Sequence, residues 1–521
     1  MQRRDFLTAL AGAPLLVGGL RAHAQATPAA ALTYGQSVGV LTLDPVHGSY
    51  TLYPAGSEAA LCIYDGLLTF APDMKIIPQL AESWTMADDL KSCTLKLRTG
   101  ARFHDGTPVD VAAVKTNIER LMDKQRNPTN RPLWDPVAGV ETPDAGTVIL
   151  RLSQPFSQLP NSLAHVSGAL VSPAAIEKYG EAGIAKNPVG AGPYRVASFD
   201  PGQQLVLEAF DGYWGGRPKT AKLTLKTIAE PSTRIAALRT GAADIIDSVP
   251  VALVAQLKQD PDVAIINVPG LRPIGFVINL TRPKLADLRV RQALNLAVPV
   301  DLIASKVFFG FARAPDSPLA FNTEGYAPVS KLLHDPAKAK ALLAAAGFGP
   351  DKPLELAMFV SQGLFPGDVS VGEVVANALT QVGVKVEITK IEAGSYWDAM
   401  RQDRANIKWD IGMFGFNPAN ASGLYHLASL FKSNADDAAR PDVWNMARYH
   451  NPEVDRLLAA AGTQADRKQA AADLANAQAL IWNDAPYIWL QVNENVSAVR
   501  RQVAGVEVWP ILFTNVRHAA T

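Results

Sequence analysis

Cysteine is nearly missing from this 521-residue chain: Cys62 and Cys93 are its whole complement. At most one disulfide can form, which excludes the disulfide-stapled scaffolds of small secreted proteins. A charge surplus is missing too, with 49 Lys and Arg against 49 Asp and Glu. A nucleic-acid binder needs a basic face, and this composition has no excess with which to build one. Past the amino-terminal segment, no stretch approaches the roughly 18 consecutive apolar residues of a membrane span. Internal repeats and long low-complexity linkers are also absent.

Catalytic and cofactor signatures are lacking as well. The sequence holds no G-x-S-x-G elbow, no H-E-x-x-H and no G-x-x-x-x-G-K-[ST] loop. Gly190-Ala191-Gly192-Pro193 reads as a turn rather than a phosphate loop, because Arg195 stands where a third glycine belongs and Pro193 has no N–H to donate. The 8 histidines are scattered, with no pair at metal-ligand spacing. Asp88-Asp89 and Asp436-Asp437 read as solvated turns. No catalytic residue, cofactor or resident metal is therefore expected, and an enzyme reading has no positive support.

What is present is ordinary globular material, with 48% hydrophobic and 19% charged residues. At about 150 residues per domain, the length suggests two to four domains. The amino terminus reads as an export signal: Arg3-Arg4, Phe6-Leu7, an apolar run from Thr8 to Leu20, and small residues at Ala22 and Ala24. The Arg3-Arg4-Asp5-Phe6-Leu7 string resembles a twin-arginine address. Cleavage is expected after Ala24, with Ala26 as the alternative, releasing a soluble protein outside the cytoplasm.

Beyond the signal, strand-like and helix-like segments mix throughout. Residues 94–98 alternate polar and apolar and put Cys93 on the face of Leu95 and Leu97, as a buried, inert thiol. Residues 148–152, 204–209, 223–228 and 384–389 also read as strands. Asp335-Pro336 predicts a helix start and Gly347 its stop. Further helices are expected over 287–298, after Asn451-Pro452, and over 465–483. The result is an α/β chain without strict alternation, so discontinuous domains are expected.

Several strings, in order along nearly the whole chain, carry a resemblance. They are Leu43-Asp44-Pro45, Tyr64-Asp65-Gly66-Leu67-Leu68, Leu80-Ala81-Glu82-Ser83-Trp84 and Phe103-His104-Asp105-Gly106-Thr107-Pro108. Asn187-Pro188-Val189-Gly190-Ala191-Gly192-Pro193-Tyr194, Asp211-Gly212-Tyr213-Trp214, Phe276-Val277-Ile278-Asn279 and Arg289-Val290-Arg291-Gln292-Ala293-Leu294 follow. The chain resembles the extracellular solute-binding proteins of family 5, the dipeptide-, oligopeptide- and nickel-binding group that feeds ABC importers. Most of the strings read as structural, with Trp84 and Trp214 as packing residues.

The resemblance implies a two-lobed periplasmic binding protein fold with a subdomain inserted in lobe one and two strands crossing between lobes as the hinge. Lobe one is expected at 25–60, 195–277 and 492–521, the inserted subdomain at 61–194, and lobe two at 278–491. The crossings are expected near Val277–Asn279 and Leu490–Asn493. The implied protein is a periplasmic monomer that hands a small solute to permease subunits in the inner membrane.

In dipeptide-binding members of that family, an aspartate in one loop takes the ligand's ammonium and an arginine in another takes its carboxylate. Here the loop 415–426 contains no acid, with Ala419 where the aspartate is expected, and the loop 361–367 lacks an arginine. The ligand expected is thus a peptide-like or other small polar solute, a metal chelate among the alternatives, rather than a simple dipeptide. Candidate ligand-binding residues are Gln362, Phe365, Trp397, Phe416, Asn417, Asn420, Tyr425 and His426, which offer neutral hydrogen bonds, aromatic faces and one imidazole.

Overall fold

The computed structural model describes residues 30–46, 54–123, 130–436 and 444–521. The export signal expected over 1–24, and Asp437, lie outside them.

Helix starts follow local capping chemistry. After α1 (Pro54–Ile63), Asp287 caps α2 (Leu288–Ala297) by accepting the Arg289 N–H at 2.8 Å. Asp335 does the same for α3 (Pro336–Ala345), accepting from Lys338 at 2.9 Å, and Gly347 beyond its end takes φ 87°. The other helices used below are α4 (Asp368–Gln381), α5 (Ala393–Met400), α6 (Gly423–Phe431), α7 (Pro452–Thr463) and α8 (Arg467–Asp484). On α2 the face of Val290, Leu294 and Ala297 is buried, as its 3.6-residue spacing requires.

Eleven of the strands form one sheet that runs through both lobes. In chain order they are β1 (Ala31–Gln36), β2 (Tyr194–Asp200), β3 (Gln204–Ala209), β4 (Lys222–Thr227) and β5 (Ile245–Ile246). Then come β6 (Val263–Ile278), β7 (Ala312–Arg313), β8 (Glu355–Gln362), β9 (Lys385–Glu392), β10 (Ile411–Gly415) and β11 (Tyr487–Arg500). Their order is β9-β8-β10-β6-β11-β5-β1-β4-β3-β2, with β7 paired to β11. The long antiparallel pair β6·β11 is the spine. Its register runs from Val263↔Arg500 to Val277↔Tyr487 and shifts between Pro269 and Pro273 and between Ile274 and Gly275.

Those irregularities fall where the hydrophobic core changes. Leu271 packs in the first core, with Leu32, Tyr34, Leu223 and Trp509. From Ile274 onward β6 packs in the second core, with Met358, Val375, Ile411 and Leu490. A third, smaller cluster that includes Ile235, Leu238, Val263 and Val496 packs at the first-core end of the same strands, so cores at the two ends of two continuous strands make a two-lobed molecule. A four-stranded antiparallel sheet, in the order 81–86, 92–97, 147–152, 137–144, extends the first core. Cys93, Leu95 and Leu97 are buried on one of its faces. Cys62 and Cys93 are free thiols that burial pushes up to about 12, which keeps them protonated and unreactive.

The glycine-rich turn has a packing role. A Cβ on Gly192 would fall 2.6 Å from the Ile63 carbonyl carbon and 2.7 Å from the Tyr64 nitrogen, at the end of α1. The Gly192 carbonyl accepts from His104 Nε2 at 3.0 Å, and the Gly190 carbonyl accepts the His104 N–H at 2.9 Å. Burial pulls the His104 imidazole down to about 4, so the ring stays neutral and serves as a strut between motif strings. Gly192→Ala is expected to lower the urea midpoint by an amount worth about 1–3 kcal/mol, the usual cost of overpacking. Gly139→Ala, where a Cβ would meet nothing within 4 Å, is the matched control and should leave the midpoint in place.

Candidate functional site

The two lobes touch at the loop 416–422 and at other places, the Ser157 N–H donating to the Gly462 carbonyl at 3.0 Å among them. Residues 416–422 leave β10 in the second core, and Ala421 and Tyr425 pack against the first. Asn161 Nδ2 donates to the Asn420 carbonyl at 3.1 Å and to Glu324 Oε2 at 3.2 Å. Asn417 Nδ2 donates to the Ile511 carbonyl at 2.9 Å. These bonds tie the loop of one lobe to segments of the other, so the molecule is in a closed arrangement.

Behind this loop stands an aromatic wall. Phe365 and Trp397 meet edge to face at 6.1 Å, and Trp397 meets Phe414 at 5.6 Å and Trp444 at 5.5 Å. Phe416 lies 6.1 Å from Trp444, 6.0 Å from Tyr425 and 5.6 Å from His426. Phe365 is held by α4: Asp368 Oδ2 accepts from the N–H groups of Gly363 at 2.8 Å, Leu364 at 3.0 Å and Phe365 at 3.3 Å, and from Ser361 Oγ at 2.9 Å. One buried carboxylate thus winds the whole 361–367 loop around itself. Ser422 caps α6 by accepting the Tyr425 N–H at 3.3 Å and so orients Tyr425 and His426.

Five of the expected residues, Phe365, Trp397, Phe416, Tyr425 and His426, therefore share one wall. Asn417 and Asn420 stand on the bridging loop beside it. Gln362 does not join them: Ser361 turns inward to Asp368, and the strand's alternation leaves Gln362 exposed at the end of β8.

Among the described residues, several buried polar atoms of the bridging loop, α6, the first lobe and β11 have no hydrogen-bond partner. Asn417 Oδ1, Asn420 Nδ2 and His426 Nδ1 are buried in this state, as are Gln158 Oε1 from the first lobe and Gln491 Oε1 and the Asn493 amide on β11. Burial pulls His426 down to about 3, so its ring is a neutral imidazole. A buried polar atom left unpaired costs about 1–3 kcal/mol. A solute that bonds several of these atoms would recover that cost in the closed form only, which is the condition for coupling closure to binding.

Sequence reading missed Arg272, Trp444 and Gln158. Arg272 carried a usable signal: it is the one charge in the run Leu271 to Ile278, and a strand buried along its length rarely keeps a charge without a use. Trp444 follows no motif, and Gln158 is one of many polar residues ahead of a helix. Among the described residues, no group of three or more His, Cys, Asp and Glu could hold a metal ion, and no helix is long and apolar enough to cross a membrane.

Residues 75–438 match the bacterial extracellular solute-binding proteins, family 5 Middle. The chain is 32% identical over 473 residues to the glutathione-binding protein GsiB of Pectobacterium atrosepticum, covering 90% of each. Its fold is similar to the dipeptide binding protein of Pseudoalteromonas sp. SM9913 in complex with Met-Leu, at TM-score 0.81 and 21% identity over 94% of this chain and 100% of that one. It is also similar to the MoaA binding protein of A. tumefaciens in complex with mannopinic acid, at TM-score 0.78 and 26% identity over 94% and 99%.

Proposed function

The chain belongs to the bacterial extracellular solute-binding proteins, family 5, binding components of ABC importers rather than enzymes, and on that premise we propose that it closes around a peptide-like solute. The observation that carries this reading is the wall of Phe365, Trp397, Trp444, Phe416 and Tyr425, set beside neutral amides and one neutral imidazole where the lobes meet. Flat amide groups and aliphatic side chains stack on such rings, and Asn and Gln both donate and accept toward peptide groups.

The hinge works at the irregular stretches of β6 and β11, about residues 269–275 and 489–495, where the strands pass from one core to the other. The expected lobe one at 25–60, 195–277 and 492–521, with its inserted subdomain at 61–194, moves against the expected lobe two at 278–491. The exported, monomeric protein carries its solute through the periplasm and presents the closed pair of lobes to the permease. Release follows from reopening, with no covalent step.

The test is a thermal-shift and calorimetric screen of the purified chain against Met-Leu, glutathione and nickel bound to histidine. A ligand at 100 times its Kd stabilises the folded state by about 2.7 kcal/mol, enough for a shift of a few degrees. Binding of a peptide-like member, with quenching of tryptophan fluorescence from the wall, is the expected result. No shift with any of them at millimolar concentration would count against a peptide-like ligand, and a response to the nickel complex alone would move the assignment to His426 and a chelate.

A further inference from the structure

Resting on that reading and going one step into it, we propose that Arg272 is the anion anchor of the cleft, receiving a carboxylate of the solute on its guanidinium. Arg272 sits on β6 at the irregular stretch where the strand leaves the first core, between Leu271 and Ile274. Three cleft-forming segments converge there. The Leu271 N–H donates to the Pro510 carbonyl at 3.0 Å, and Ile511 accepts from Asn417, which fixes the 510–511 segment on one side. β10 lies on the other, its last residue Gly415 paired with Ile274, two residues along the strand from Arg272. A Cβ on Gly415 would lie 3.4 Å from Arg272 Cγ and Cδ, so the arginine stem runs across a residue with no side chain of its own. The third segment is the 361–367 loop, whose Phe365 ring centre is 5.4 Å from the guanidinium carbon.

Among the described residues, that ring is the one contact recorded for the charge. Arg272 forms no ion pair and no hydrogen bond there, whereas other buried arginines do: Arg234 and Arg517 meet Asp247 and Asp65, and Arg291 donates to three backbone carbonyls. Burial, with no acid opposing it, pulls Arg272 down to about 10, which leaves it cationic at neutral pH. The Arg272 side chain is half-buried, as is Tyr425 on the wall. A half-buried cation without a counter-charge is a cost to the empty protein. A structural role here would be served better by a methionine, so the charge answers to something that arrives. A carboxylate fits the planar fork bidentately. The loop 361–367 holds no cation, and Phe365 supports one delivered from the strand instead.

Isothermal titration with Met-Leu and with glutathione, each as free acid and as carboxamide, tests this against wild type, Arg272→Gln and Arg272→Lys. Wild type should bind at least one free acid about 100-fold more tightly than its amide; Arg272→Gln should erase that gap, and Arg272→Lys should keep part of it. Ligand-free Arg272→Met should melt no lower than wild type. Equal affinity for acid and amide, unchanged binding by Arg272→Gln, or a lowered melting temperature in Arg272→Met would each overturn the anchor while leaving the peptide-like assignment standing. Failure of wild type to bind any acid or amide would overturn the peptide-like assignment, and the anchor with it.

Discussion

Asp65→Ala should lose about 3–5 kcal/mol of stability, read as a large fall in the urea midpoint followed by tryptophan fluorescence. The Asp65 side chain is fully buried, and three other parts of the chain bond to it. Arg517 Nη2 meets Oδ1 at 2.8 Å, Gln79 Nε2 donates to Oδ1 at 2.6 Å, and Trp214 Nε1 donates to Oδ2 at 2.6 Å. Arg517 in turn donates to the Tyr213 hydroxyl at 2.6 Å, and Arg98 lies over the Trp214 ring at 4.4 Å. Strings far apart in sequence, Tyr64-Asp65-Gly66, Asp211 to Trp214 and the carboxyl-terminal Arg517, therefore meet at one carboxylate. Truncating it leaves a guanidinium 7% exposed with no counter-charge, plus orphaned indole and amide donors. The penalty is chiefly that of the stranded groups. Asp65→Ala combined with Arg517→Ala should consequently cost much less than the sum of the single changes, a coupling of about 1–3 kcal/mol. An Asp65→Ala loss below about 1 kcal/mol would show that the hub is loose.

That hub explains which features the sequence made legible. Asp335-Pro336 announced a helix because a cap is satisfied within four residues, and the Lys338 N–H does bond to Asp335. The strand at Cys93, Leu95 and Leu97 was readable for the same reason: alternation is local. The aromatic loop at 416–426 could be located from its resemblance to known loops. Asp65 could be placed at the end of a helix, but its bond to Arg517, 452 residues away, has no trace in local pattern. Gln362 misled because Ser361 and Gln362 are equally polar, and only the buried Asp368 decides which of the two turns inward. Arg272 was not legible from the loops in which the family resemblance places charges, because it stands on a strand.

Glu58→Gln should make the protein more stable above pH 8, by about 3 kcal/mol, and flatten its pH profile. Glu58 is 1% exposed, on α1. It accepts from the Tyr34 hydroxyl at 3.0 Å, Gln36 Nε2 at 2.6 Å and the Thr514 N–H at 2.7 Å, and no cation among the described residues bonds to it. Burial first, and the neighbouring Asp247 carboxylate second, push it up to about 8 from its ordinary 4.5. Asp247 is pushed up to about 6, since Ser37 and Arg234 pull it back against its own burial. The folded protein therefore binds a proton at Glu58 more tightly than the unfolded chain does. The stability this contributes is complete below about pH 4.5 and is lost as the pH rises through 8. Glutamine is neutral at every pH and keeps an oxygen for Thr514, so the variant should part from wild type only as the pH climbs, the two curves converging at pH 5. Urea midpoints taken at half-unit steps from pH 5 to 9 measure this, and parallel curves would mean that Glu58 carries no proton in the fold. The linked group lies between β1 and the carboxyl-terminal Thr514, all within the first core. The profile thus reports on lobe one alone, independently of any ligand between the lobes.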